Sequence, residues 1–86
     1  MKPHVRNYFR AFGYDESSRI LCEYCGSAIG VEIHHVEPRS SFGSKRKDEQ
    51  DHVDNLIALC RLHHHNAHDI WSRQWKIKFK DIISRR

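Results

Sequence analysis

Three cysteines and one histidine constrain this chain more than any other feature. Cys22-x2-Cys25 is a two-thiol turn, and Cys60-Arg61-Leu62-His63 has the same spacing with histidine in the last place. Spacing of this kind lets one turn present two ligands to one ion, and Cys3His is an ordinary tetrahedral set for structural zinc. An odd number of cysteines cannot close into a full disulfide framework; a histidine that completes a metal quartet accounts for the count. Two other readings stand beside this one. The cysteines are free thiols in a reduced protein, or the first pair is a redox couple, which would need a βαβ setting that the flanking sequence lacks. Gly26 follows Cys25 directly and lets the backbone curl so that amides face the sulfurs.

A metal would matter to a chain of 86 residues, because a core this small is often supplemented by one. Fifteen Lys and Arg against 11 Asp and Glu leave a net charge of +4, which suits an anionic partner. No apolar run approaches the roughly 20 residues of a membrane span. The start, Met1-Lys2-Pro3-His4, lacks the apolar segment of a signal peptide. The expected location is therefore a reducing cytoplasm, where cysteines more often bind metal than pair.

The chain reads as one α+β domain over residues 1–86, without repeats or linkers. Val5, Tyr8, Phe9 and Phe12 fall at i, i+3, i+4 and i+7, so a helix is predicted over about 3–12, with Pro3 in its first turn and Gly13 as its stop. Gly30 to Val36 alternates like a strand ended by Pro38. Arg39 to Asp54 is polar and reads as a long loop, and Leu56 to Cys60 as a short buried strand. His64, His68, Trp71, Trp75, Phe79 and Ile82 then form one stripe, which predicts a single long helix from about Leu62 to Ser84. On that stripe Trp71 and Trp75 read as core rather than as base-stacking platforms.

A second group of histidines stands apart from the zinc quartet. His64 and His68, at i and i+4, project from one helix face with the spacing of metal ligands. His65 points roughly 100° away from His64. Alone, His64 and His68 would read as surface histidines. His34-His35 at the end of a strand changes this, because adjacent strand residues face opposite ways. One of the two can bind an ion while the other faces a substrate, a division that suits phosphodiester hydrolysis by a metal and a separate base.

Taken together, Cys22-Glu-Tyr-Cys25-Gly, Val31-Glu-Ile-His34-His35-Val-Glu-Pro38-Arg39, Asp54-Asn55-Leu56-Ile57-Ala58-Leu59-Cys60 and His64-x3-His68 resemble the zinc-bearing branch of the HNH endonucleases. The resemblance runs from Cys22 to His68. It implies a ββα-metal (His-Me finger) fold, about residues 20–70, clasping one catalytic divalent ion (Mg²⁺, Mn²⁺, Ni²⁺ or Zn²⁺) beside a structural Zn²⁺. It implies that His35 is the general base and that His34, His64 and His68 hold the catalytic ion. Asn55 matches the middle Asn, which in most members braces the loop and the base and in some binds the metal. The fourth zinc position is usually Cys in that family and is His63 here. The implied activity is hydrolysis of DNA to 5′-phosphate and 3′-hydroxyl ends, by a monomer that nicks or a dimer that makes paired nicks, in a bacterial or phage-infected cell.

Several residues keep plainer readings. Asn55 after Asp54 also suits an ordinary turn. Lys45-Arg46-Lys47 is either a solvated loop or, with Arg39, a phosphate contact. A non-catalytic, zinc-stabilised nucleic-acid-binding module would explain the charge and the Cys3His set, but not His34, His35, His64 and His68 together. A structural protein-interaction domain would explain the apolar C-terminal stripe and little else.

Overall fold

A strand that is apolar at every position, such as Leu56-Ile57-Ala58-Leu59, has to be covered on both faces. In the computed structural model, which describes residues 1–68 and 72–86 (Ser72 by its backbone alone), this is how the chain is built. Helix α1 (Pro3–Phe12) precedes strand β1 (Glu32–His35), helix α2 (Lys47–Gln50), strand β2 (Leu56–Leu59), helix α3 (Arg61–Ala67) and helix α4 (Ser72–Arg85). The strands pair antiparallel with His34 opposite Ile57 and His35 opposite Leu56. One face of this ribbon carries Ile57 and Leu59 against Phe79, Ala67, Cys22 and Cys60. The other carries Leu56 and Ala58 against Tyr8, with Phe9 and Ile33 beside them. β2 is fully buried between them.

Helix α1 starts at Pro3 and stops at Gly13, whose φ of 71° closes the last turn on the Arg10 and Phe9 carbonyls. Its buried residues are His4 and Tyr8. Phe12, expected on the inward stripe, is 39% exposed at the rim of an aromatic group with Tyr8 and Tyr14. The β1 ladder is shorter than the expected Gly30 to Val36. Beyond His35 the Val36 amide donates to Asn55, outside the regular pairing.

Two expectations are corrected. Residues 39–54 are not a bare loop: short 3-10 turns at Arg39–Ser41, Ser44–Arg46 and Val53–Asn55 flank α2. These turns fold a polar stretch against the end of the sheet, where Asn7 of α1 donates to the Asp51 carbonyl. The predicted continuous helix from Leu62 to Ser84 is two helices, α3 ending at Ala67 and α4 starting at Ser72. An unbroken helix of that span would be roughly 34 Å long, more than the 33 Å of the whole molecule. It would carry Phe79 away from the sheet; instead α4 buries Phe79 against Ile57 and Leu59, with Trp75, Ile82 and Ile83 packed alongside. Trp71 lies outside the described residues.

Candidate active site and metal centres

The turn at Cys22 is tied down by backbone bonds. The Gly26 amide donates to the Cys22 carbonyl, and the Cys22 amide to Ser27. Gly26 has φ 80°, which a side chain would strain. The Glu23 amide donates to the Ala58 carbonyl and docks the turn on β2. Cys60 caps α3, so His63 lies one turn along and faces the same point. The three cysteines form no disulfide. Cys25 and Cys60 Sγ are 3.6 Å apart, and His63 Nδ1 is 3.1 Å from Cys60 Sγ and 3.9 Å from Cys22 Sγ. A tetrahedral zinc with Zn–S bonds near 2.3 Å has ligand edges of about 3.5–3.8 Å, and these three spacings fall within a few tenths of an ångström of that range. The thiols carry the same message. Burial works against the Cys22 thiolate, but amides of Cys25, Cys60 and Tyr24 bring its pKa down. At Cys25 the Ser27 amide pulls downward, yet burial and the neighbouring Cys22 and Cys60 thiols raise it. A cation bound among them would deprotonate the thiols it coordinates.

On β1, His34 and His35 face opposite ways. The His34 ring lies 5.1 Å from both His64 and His68, over Phe79. Burial, then His64, His68 and His35, push its pKa down to about 3, so it is neutral and keeps a lone pair. His64 Nδ1 lies 2.8 Å from a Glu32 carboxylate oxygen, which leaves Nε2 as the atom to ligate. That Nε2 is 3.2 Å from His68 Nε2. Two lone pairs this close repel unless a proton or a cation lies between them, and a tetrahedral shell with bonds near 2.0–2.1 Å has edges of about 3.3 Å. The ligand atoms of His34, His64 and His68 all lie within 4.8 Å of one another. These three residues therefore fit one divalent ion, and sequence reasoning missed Glu32, their supporting carboxylate.

His35 lies on the other face, with Nε2 2.8 Å from Asp51 Oδ1. Burial raises the Asp51 carboxyl, but the bond from His35 and one from Gln50 outweigh this and lower it. Asp51 is thus ionised and accepts, so in the neutral tautomer that donates from Nε2 the lone pair is on the His35 Nδ1. His4 packs against this pair, its ring 4.4 Å from that of His35. The Asn55 side chain bonds to Glu37 and Gln50, not to His35. Its Oδ1 accepts from the Glu37 amide at 2.8 Å, and its Nδ2 donates to the carbonyls of Glu37 and Gln50. It thereby fixes the segment carrying Asp51 against the end of β1.

Both faces of β1 open on one cleft of about 540 Å³, whose wall includes His34, His35, Arg39, His64, His68 and Lys76. An adjoining groove of about 910 Å³ runs past α1 and shares His35, Arg39 and His64, adding Lys2 and Arg19. Lys45, Arg46 and Lys47 are exposed and outside both walls; Arg46 pairs with Glu49 and covers Phe42.

The family model of the HNH endonucleases matches residues 22–69, more than half of the chain. The chain belongs to the HNH endonuclease family. HNH membership gives a nuclease-type function on a metal-dependent scaffold, and HNH nucleases act on DNA. The matched stretch includes both strands, α3 and every ligand of the two clusters described above. No curated protein and no solved structure matches the chain. Among the described residues, no helix is long and apolar enough to cross a membrane.

Proposed function

We propose that this HNH protein hydrolyses DNA phosphodiester bonds, with His35 as general base and one divalent ion held by His34, His64 and His68. The observation that carries the reading is the shared cleft, lined by the convergent His34, His64 and His68 and by the carboxylate-paired His35. Asp51 orients His35 through Nε2 and leaves Nδ1 to take a proton from water. A divalent ion in the histidine trio would polarise the phosphate and stabilise the leaving 3′ oxygen. Glu32 orients His64, and Asn55 positions the Asp51 segment. Arg39 holds the phosphate backbone in the cleft, with Lys45, Arg46 and Lys47 as flanking contacts. Such contacts fix register on the strand without reading sequence. Cys22, Cys25, Cys60 and His63 hold a structural zinc.

All of residues 1–86 act as one domain in this reading, supported by the packing of α1 and α4 on opposite faces of the sheet. The unpaired thiols support a reducing location, the cytoplasm of a bacterial or phage-infected cell.

Nicking of supercoiled plasmid with Mg²⁺, Mn²⁺, Ni²⁺ or Zn²⁺, beside calorimetric metal titration, tests the assignment. His35→Ala should keep the ion and lose about 10²–10⁴-fold in rate. His34→Ala and His64→Ala should both weaken the ion. Ion loss in His35→Ala with retention in His34→Ala would exchange the two roles. If all three variants cut like the parent, the nuclease reading is wrong.

A further inference from the structure

His4 is 93% buried by its 7% exposure, and among the described residues its Nδ1 is the one buried side-chain polar atom without a hydrogen-bond partner. A buried polar group left unpaired is costly, so native structures normally supply a partner, often a water or an ion. Burial, His35 and Arg39 hold His4 below the ordinary histidine range, against the opposing pull of Asp51 and the Ile33 backbone. A neutral imidazole offers its unprotonated nitrogen as a ligand atom. One ligand atom each of His4, His35 and Asp51 lies within 4.8 Å of the others, and His35 Nε2 is 2.8 Å from Asp51 Oδ1.

We propose that His4, His35 and Asp51 form a third metal site, which takes Zn²⁺ when that ion is in excess and silences the base when occupied. Two imidazoles and a carboxylate suit zinc, and three protein ligands with a fourth position for water is an ordinary open zinc shell. The ligands come from α1, from β1 and from the residue after α2, so only the folded chain assembles them. Binding requires the 2.8 Å contact between His35 and Asp51 to open to about 3.3 Å and the bridging proton to leave for solvent. The inhibitory half rests on the assignment of His35 as base. A neutral imidazole has one N–H and one lone pair. With Nε2 ligated, the ring's proton sits on Nδ1, and no lone pair remains to accept a proton from water.

The test is zinc stoichiometry of the full chain by native mass spectrometry, for the parent, His4→Phe and Asp51→Asn. His4→Phe keeps a ring against His35 and removes the nitrogens; Asp51→Asn covers the case in which the first variant folds poorly. Each variant should hold one zinc fewer than the parent in excess Zn²⁺. Equal zinc counts in the parent and both variants would overturn the site. In parallel, Zn²⁺ is titrated into plasmid nicking run with Mn²⁺, each protein being compared with its own zinc-free rate. Loss of an outer-shell partner alone costs about 10–100-fold in metal affinity, so His4→Phe should raise the inhibitory zinc concentration by at least about tenfold. Identical inhibition of parent and variant would overturn the regulatory half. A parent that never cuts would refute the nuclease reading, while the zinc counts would still decide the site.

Discussion

At Asn55 a single amide joins the end of β1 to the segment that carries Asp51, through one bond accepted from Glu37 and two donated, to Glu37 and Gln50. Asn55→Ala leaves those backbone groups without that partner and should cost about 1–3 kcal/mol in urea unfolding. Glu32 is the matching case on the ion's face. Glu32→Ala should weaken the proposed ion in the His34 trio about 10–100-fold by calorimetry, without moving the structural zinc. The cysteines and the histidines of the two main clusters were legible because their spacing is local: x2 turns, an i,i+4 pair and a strand doublet. Glu32 was legible in principle, since it stands two residues before His34 and a strand puts such residues on one face. His4 stands four residues before Tyr8 and shares its helical face, so the first stripe could have been extended to it. Asp51 carried no signal. It sits among Asp48, Glu49 and Asp54, and only the folded chain distinguishes it by placing it on His35.

Between elements, the contact that decides the architecture is α4 on the sheet. Phe79 is 1% exposed, and Phe79→Ala should cost about 3–5 kcal/mol in the same unfolding measurement. The sequence reads as one helix because α3 and α4 both turn apolar or histidine-bearing sides to the same sheet face, so the period runs on across the break. No Gly or Pro falls in residues 62–84 to mark it. A second tie is ionic. Glu37, just after β1, meets Lys80 at 2.7 Å and Lys76 at 3.1 Å on α4. The bond from Lys80 outweighs burial, and with Lys76 it lowers the Glu37 carboxyl below 4.5. A carboxylate whose pKa falls on folding contributes stability above its unfolded value, and that contribution is lost as pH falls through the folded value. The parent's melting temperature should therefore drop more steeply below pH 4.5 than that of Glu37→Gln. The difference at neutral pH should be about 0.5–1 kcal/mol, because both lysines are partly solvated.

Across the whole molecule, distant segments meet at few points. Glu23 accepts from the Tyr8 hydroxyl, from the Ala58 amide and from Arg86, tying α1, the zinc turn, β2 and the end of the chain together. Arg86 also donates to the carbonyls of Val53 and Leu56. Another such point is the Cys3His quartet. Zinc bound by the folded state alone adds its binding free energy to folding, so chelation should lower the melting temperature sharply, and unchanged melting after verified zinc removal would count against a structural ion. The two-faced sheet has an evolutionary consequence. Every ligand in the quartet and in the His34 trio lies between residues 22 and 68, whereas α1 contributes His4 and the aromatic wall behind His35. A lineage that exchanged its first twenty residues by recombination would inherit both of those ion-binding sets intact and acquire a new backing for its proton acceptor. The leading segment is thus where such a protein can be retuned without rebuilding its finger.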